Sequence, residues 1–158
     1  MRNSYAWLSF AGLLALTLSF AAQAGDVIKA ELKACPHDGT AIGGVNSCGK
    51  IWKLKSGHAQ LTSDGSLKVE VKGLVLNDES TGQFNGSPDG VDAVAAAVIC
   101  NNSSGASVTA QTEPVPLSKS GDAKISVKVE LPACTAPVIV LRERYEGNIG
   151  GWLAATGF

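Results

Sequence analysis

The sequence is poor in aromatic residues and has no excess of basic ones. Beyond residue 24 it contains five aromatic side chains, Trp52, Phe84, Tyr145, Trp152 and Phe158. Lysine and arginine together number 13 against 14 aspartate and glutamate residues, which gives a formal net charge of −1. A nucleic-acid-binding protein would need a basic stripe, so the composition argues against a nucleic-acid partner.

Several motifs that carry chemistry are also absent. The sequence has no Cys-x-x-Cys pair, which a zinc site would use, and no closely spaced histidines. It has no Gly-x-Ser-x-Gly segment, which would place a serine nucleophile on a sharp turn. Adjacent carboxylates occur only as Asp78-Glu79, and neighbouring side chains diverge on an extended chain. We therefore expect no catalytic residue, no bound metal and no cofactor.

The first 24 residues have the features of a secretory signal peptide. Arg2 provides a basic start, residues 5–22 carry no charge, and the small-x-small sequence at residues 22–24 is a cleavage site before Gly25. An uncleaved anchor helix is the alternative, because about 18 apolar residues can just span a bilayer. The small residues at the site and the polar residues after it favour cleavage.

Residues 25–158 then remain as one domain, since their number falls within the usual size of a single domain. No other uncharged run approaches the length of a membrane span. We expect a secreted or periplasmic protein without stable membrane insertion after signal cleavage.

Four cysteines are present, an even number that predicts disulfides in an exported chain. Four cysteines allow three pairings, and the sequence alone does not decide among them. We expect Cys35–Cys48 and Cys100–Cys134, because each is the pairing of sequence neighbours.

Alternating apolar and polar residues predict β-strands along much of the chain. Residues 67–72 and 123–131 place apolar side chains on one face and polar or charged ones on the other, as half-buried antiparallel strands do. Residues 91–100 are apolar except for Asp92, and we expect this strand at the centre of the core. A helix is the alternative for this segment, because its valines also fit one helical face and alanine favours helices.

About eight or nine short strands, separated by turns and without a convincing helix, predict an all-β fold. The specific expectation is an immunoglobulin-like two-sheet β-sandwich with two disulfides. Further strands are expected at residues 25–32, 51–54, 58–62, 74–76, 106–112, 137–142 and 152–156. Turns or breaks are expected at Asp64-Gly65, at Gly73, after residue 131 and at residues 147–151.

Trp52 and Trp152 both fall on predicted strands. A tryptophan ring packed against a disulfide is common in the core of such sandwiches, and we expect this for at least one of the two. A surface ring that stacks on a ligand is the alternative.

An exported metal-binding or hydrolytic protein is the first alternative function. It would use His37, His58 and a segment that we call the acidic loop (residues 77–90), and imidazoles with carboxylates can bind copper or zinc. The acidic residues in this loop and just after it are Asp78, Glu79, Asp89 and Asp92, which could also bind calcium through their oxygens. Their spacing does not match a calcium-binding loop, so exposed, solvated loops are the simpler interpretation.

A small outer-membrane β-barrel is the second alternative. Residues 150–158 alternate toward a terminal aromatic residue, and eight strands of about ten residues would fit the chain length. The scarcity of aromatic residues argues against it, because such a barrel needs two interfacial aromatic girdles.

The C-terminal half is similar to a group of small secreted bacterial proteins of unknown function. The similarity lies in Leu131-Pro132-Ala133-Cys134, and in the final sequence Gly-Trp-Leu-Ala-Ala-Thr-Gly-Phe at residues 151–158. The resemblance implies an exported β domain. It implies no activity, cofactor or site residue for this chain.

Together these features predict an exported, non-catalytic binding or structural module with an unidentified ligand or protein partner. Folded domains of this class commonly carry ligands on the loops at their ends. The best candidates are the acidic loop and the segment at residues 33–50, which we call the cysteine loop because it contains Cys35 and Cys48.

Overall fold

The structure is a computed structural model that describes residues 24–88 and 90–157, with the side chain of Asn102 excluded. The predicted signal peptide lies outside the described residues except for Ala24, as do Asp89 and Phe158. The described residues form strands β1 (Asp26–Ala34), β2 (Trp52–Lys53), β3 (Ser56–Thr62), β4 (Ser66–Lys72), β5 (Val75–Leu76), β6 (Val91–Asn102), β7 (Gly105–Gln111), β8 (Val115–Pro116), β9 (Ala123–Lys128), β10 (Thr135–Tyr145) and β11 (Asn148–Thr156). A short 3₁₀ helix at Glu79–Phe84 is kinked at Gly82.

The fold is an all-β sandwich, as predicted. The strand order of the main sheet is β7-β6-β10-β11-β1-β3-β4-β9, with β8 also paired to β6, and all of these pairings are antiparallel. The start of β1 pairs with β3 and its end pairs with β11, so β1 passes from one layer to the other. We call β3, β4 and β9 the first layer and β6, β7, β8, β10 and β11 the second layer. A separate two-stranded sheet pairs β2 with β5.

Strand β6 is the buried centre that the sequence predicts, and it is a strand rather than a helix. From Ala93 to Cys100 every residue is at most 2% exposed. Side chains alternate between the two faces of a strand, so burial of the whole run requires cover on both sides. The first layer covers one face of β6, and the apolar side chains of that layer belong to the same core cluster as those of β6. The cysteine loop contributes to the cover of the other face, where Gly43 lies directly against Ile99.

Both disulfides form as predicted. Cys35–Cys48 closes the cysteine loop, and Cys100–Cys134 joins the end of β6 to the segment before β10. No free cysteine is present among the described residues. Cys100 and Cys134 can bond because β6 and β10 are antiparallel neighbours. Their register places Asn101 opposite Thr135 and so brings the two cysteines close together.

Three of the predicted boundaries need correction. The turn expected at residues 147–151 is shorter, because β11 begins at Asn148 and only Glu146-Gly147 turn the chain. Both residues have positive φ, 49° and 79°, as a two-residue hairpin turn of the primed type requires. Gly150-Gly151, which resemble a turn in the sequence, lie instead within the strand at an irregularity in the pairing with β10.

The strand expected at residues 123–131 ends at Lys128. Its partner strand β4 begins at Ser66, opposite Lys128, and no residue of β4 remains to pair beyond it. The expected strand at 51–54 is reduced to β2, which pairs outside the main sheet. The expected glycine break is confirmed at Gly73, which has a φ of 64° and separates β4 from β5.

Candidate functional site

The cysteine loop is attached to the second layer along β11. The backbone N–H of Cys35 donates to Leu153 O at 2.8 Å, and the backbone N–H of Trp152 donates to Asn46 O at 2.9 Å. Trp152 Nε1 donates to Thr40 O at 3.0 Å. Contacts at several positions along the loop therefore fix its path over the sheet, in addition to its own disulfide.

Trp52 and Trp152 both lie in the core. Trp52 is 6% exposed and Trp152 is 1% exposed, so neither ring offers a face for stacking on a surface ligand. They belong to the same buried cluster as Cys35 and Cys48, in agreement with the predicted core role. The backbone N–H of Trp52 donates to Cys35 O at 3.1 Å, which ties the start of β2 to the disulfide.

His37 is held inside the cysteine loop. Its Nδ1 lies 2.7 Å from Cys48 O, so the ring bridges the loop beside the disulfide. Next to it, the carboxylate of Asp38 accepts the backbone N–H of Thr40 at 2.9 Å. This hydrogen bond is the largest cause that lowers the pKa of Asp38, and the charge of His37 lowers it further.

The acidic loop is organised by Asp78. Its Oδ1 accepts the backbone N–H of Ser80 at 2.9 Å and caps the 3₁₀ helix. Hydrogen bonds from Ser80 are the main cause that lowers the pKa of Asp78, followed by the charges of Lys50 and His37. The carboxylate therefore stays ionised at neutral pH and serves the local structure of the loop.

The cysteine loop and the acidic loop meet at Lys50. Its Nζ lies 3.9 Å from Asp78 Oδ2 and donates to Ser80 Oγ at 3.2 Å. One residue further on, Ile51 O accepts the backbone N–H of Asn77 at 2.8 Å. These contacts join the two loops that the sequence singles out, and we call the exposed residues around the junction the loop surface, defined by Lys50, Ile51, Asp78, Ser80 and Phe84.

The loop surface exposes apolar side chains. Ile51 is 40% exposed and Phe84 is 42% exposed, and they are among the few large apolar side chains that the described residues present to solvent. Backbone hydrogen bonds hold the segment that carries Phe84, because Gly86 N donates to Leu76 O and Leu76 N donates to Ser87 O, both at 2.9 Å. The exposed side chain of Phe84 is therefore carried by a segment that backbone hydrogen bonds hold in place.

His58 lies in a different part of the molecule from His37. It is on β3, where the strand register places it between Glu31 of β1 and Glu70 of β4. Lys124 follows Glu70 in the same row, and its Nζ lies 3.9 Å from Glu70 Oε2. These residues line an open cleft of about 550 Å³ on the first layer.

The residues of the metal-binding alternative are not gathered into one site. His37 is in the cysteine loop, His58 is on β3, and Asp92 forms an ion pair with Arg144 of β10. Among residues 24–88 and 90–157, no three His, Cys, Asp or Glu side chains are grouped so that they could hold a metal ion. Asp89 of the acidic loop lies outside the described residues.

Sequence reasoning missed one polar residue, Glu143 on β10. It is half-buried, and its Oε1 accepts the backbone N–H of Gly151 at 3.3 Å where the pairing with β11 is irregular. Burial raises the pKa of this carboxyl, and the hydrogen bond from Gly151 offsets only part of that effect. Its position opposite Gly151 comes from the pairing of β10 with β11, so no pattern in the sequence marks it.

Comparison with known proteins gives no family. No protein-family model matches the chain, and neither the curated proteins nor the solved structures contain a match. Within the part of the chain that the structure describes, no helix is long and apolar enough to cross a membrane.

Proposed function

We propose that this protein is an exported, non-catalytic binding module and that its loop surface contacts the partner. The observation that carries the proposal is the junction at Lys50, which joins two loops distant in sequence into one surface. Fixed loops lose less conformational freedom on binding than mobile ones, so such a surface is well suited to recognition.

The composition of the loop surface favours a protein partner. Exposed Ile51 and Phe84 supply apolar anchors, while Lys50, Asp78 and Ser80 supply charge and hydrogen-bonding groups beside them. Protein interfaces commonly combine an apolar centre with a polar rim in this way. Export is supported by the signal-like N-terminus and by two disulfides, since disulfides persist in oxidising compartments.

Site-specific photocrosslinking in the producing organism tests the proposal. A photoreactive residue at Phe84 or at Ile51 is expected to capture the same partner protein. The same residue at Val27 serves as the control, because Val27 is 41% exposed but lies on β1. The double variant Ile51→Ser/Phe84→Ser should abolish the capture of that partner by a crosslinker at Ser80. Equal labelling from Val27, or no labelling from either loop position, would contradict the proposal.

Two further measurements separate the proposal from its alternatives. N-terminal sequencing of the exported protein should begin at Gly25, and a chain that keeps Met1 would contradict the cleaved signal. Elemental analysis of protein purified without chelator should find no stoichiometric metal. A bound metal at one per chain would instead favour the metal-binding alternative.

A further inference from the structure

The open cleft of about 550 Å³ on the first layer runs across the strands rather than along them. The strand register arranges its lining residues in three rows that cross β1, β3, β4 and β9. The middle row is Ala30, Ala59, Val69 and Ile125, and the last three are at most 2% exposed. Because neighbouring residues on a strand point to opposite faces, these side chains point into the core and the backbone of the row forms the floor of the cleft.

Charged and polar side chains form the two walls of this cleft, which we call the cross-strand groove. One wall is the row of Glu31, His58, Glu70 and Lys124, and the other is the row of Lys29, Gln60 and Lys68. Neighbouring strands lie about 4.8 Å apart, so a groove across four strands is about 14 Å long. Pockets for small molecules enclose most of their ligand, whereas an open groove of this length suits a short linear chain laid on the surface.

The cross-strand groove is positively charged although the chain as a whole has a net charge of −1. Three lysines and two glutamates line it. Glu70 is already compensated, because its Oε1 lies 3.5 Å from Lys72 Nζ and its Oε2 lies 3.9 Å from Lys124 Nζ. Lys29 and Lys68, by contrast, have no ion-pair partner among the residues that the structure describes. These two ammonium groups lie on the same wall and are available to an anionic ligand.

The opposite wall provides groups that bind hydroxyls. The Glu31 carboxylate has no partner within residues 24–88 and 90–157, and the exposed ring of His58 lies between it and Glu70. An ionised carboxylate only accepts hydrogen bonds, so it binds hydroxyl groups and repels a second carboxylate. A ligand that satisfies both walls therefore carries carboxylates on one side and hydroxyls on the other.

The floor of the groove does not suit an extended peptide. Its backbone groups belong to the ladders that join β1, β3, β4 and β9, so a bound chain has no free edge to pair with. The lining residues also include no aromatic ring other than the imidazole of His58, and the side chains of Val69 and Ile125 are buried. Apolar side chains of a peptide would thus find no pocket here.

We propose that the cross-strand groove binds a linear acidic oligosaccharide built from uronic acid units. Its carboxylates pair with Lys29 and Lys68, and its hydroxyls bind Glu31 and His58. The groove shares no residue with the loop surface, so this inference goes beyond the binding function proposed above. Exposed ion pairs are individually weak and are screened by salt. The dissociation constant should therefore be about 0.1–1 mM at low salt and should rise as salt is added.

Titrations followed by NMR, with tetragalacturonate and with tetramannuronate, test the proposal. At least one tetramer should shift the amide resonances of Ala30, Ala59 and Val69. The double variant Lys29→Gln/Lys68→Gln should raise the dissociation constant of that tetramer by about tenfold or more. Its fully methyl-esterified form, which keeps the hydroxyls and loses the charges, should bind the wild type more weakly by a similar factor.

The matched control is Lys53→Gln/Lys119→Gln, which removes the same charge from two exposed lysines outside the groove and should leave the affinity unchanged. Circular dichroism and disulfide mapping check that both double variants fold.

Each outcome decides the proposal. Shifts centred on the floor that Lys29→Gln/Lys68→Gln weakens and the control does not would support it. No shifts with either tetramer at concentrations above the expected dissociation constant, shifts centred elsewhere, or equal weakening in both double variants would overturn it. Tetraglutamate that binds the groove as tightly would also overturn it, because the groove would then recognise an acidic peptide. Failure of partner crosslinking at the loop surface would leave these measurements unaffected.

Discussion

The indole nitrogen of Trp152 donates to the backbone oxygen of Thr40 at 3.0 Å, across 112 positions of sequence. This bond ties the cysteine loop to the last strand of the sandwich. Because Trp152 is also buried in the core, one side chain connects the packing of the second layer to the position of the loop that helps to form the loop surface.

Replacing Trp152 with phenylalanine should loosen the cysteine loop. The variant loses the hydrogen bond to Thr40 O and leaves a small cavity, which together should lower the free energy of unfolding by about 1–3 kcal/mol. Hydrogen exchange should also become faster at Ile42 and Val45, whose amide N–H groups are hydrogen-bonded within the cysteine loop. Trp52→Phe is the control, because it removes a similar volume without breaking the Thr40 bond, so exchange in the cysteine loop should change little. Equal exchange in both variants would show that the bond does not hold the loop.

The two disulfides should differ in their contribution to stability. Loop-closure entropy gives about 3 kcal/mol for the loop of about 14 residues and about 4 kcal/mol for the loop of about 35 residues. The double variant Cys100→Ala/Cys134→Ala should therefore lose more stability in urea than Cys35→Ala/Cys48→Ala. The opposite order would show that the buried contacts of Cys35 and Cys48, which are at most 1% exposed, outweigh the entropy of the longer loop.

Periodic features of this fold could be predicted from sequence, whereas contacts across long separations could not. The alternation around Val69 and the apolar run ending at Cys100 each follow from a pattern within a short segment. The disulfide pairing was expected only as the pairing of sequence neighbours, and the structure confirms it. Nothing periodic marks the bond between Thr40 and Trp152, since it depends on where a loop without regular structure lies on the sheet.

The candidate site shows the same division. Composition and turn residues indicated both the cysteine loop and the acidic loop as exposed segments. Their junction depends on the reach of one lysine, Lys50, toward Asp78 and Ser80, and no spacing in the sequence encodes that contact. Glu143 was missed because a charged residue on a strand is usually exposed, and its burial comes from the irregular pairing of β10 with β11.

Glu143 should make the free energy of unfolding fall as the pH rises above the ordinary pKa of a glutamate. Burial raises the pKa of the Glu143 carboxyl in the folded state, so its protonation stabilises the folded state relative to the unfolded state. This stabilising contribution is fully present at pH values below the pKa of the unfolded state. That contribution is lost as the pH rises through the folded pKa. Glu143→Gln keeps an oxygen that can accept from Gly151 N but does not titrate.

The Glu143→Gln variant should therefore be more stable than the wild type at pH 8, by less than about 1 kcal/mol because the carboxyl is partly solvated. The difference should shrink toward about pH 4, where the wild-type carboxyl is protonated. Urea unfolding at a series of pH values measures this difference. Glu146→Gln, in the exposed hairpin turn, controls for the loss of one negative charge. A constant difference between Glu143→Gln and wild type across the series would contradict the prediction.

The two adjacent glycines of β11 should respond differently to alanine. A Cβ at Gly151 would lie 2.7 Å from Ser47 O and 3.0 Å from Asn46 O, which are backbone atoms of the cysteine loop and cannot move independently. A Cβ at Gly150 would lie 2.8 Å from Glu143 Oε1, at the end of a side chain that can rotate away.

Gly151→Ala should consequently destabilise the fold by about 1–3 kcal/mol, as overpacking does, and should displace the cysteine loop from β11. Gly150→Ala is expected to cost less and to leave the loop in place, because only the Glu143 side chain has to move and no backbone atom of the loop is close. Urea unfolding gives the two free energies, and the amide exchange rate of Trp152, whose N–H is bonded to Asn46 O, reports the position of the loop. Equal losses of stability, with the Trp152 amide protected from exchange in both variants, would contradict this prediction. That result would mean that the backbone of the cysteine loop can move to accommodate a methyl group at Gly151.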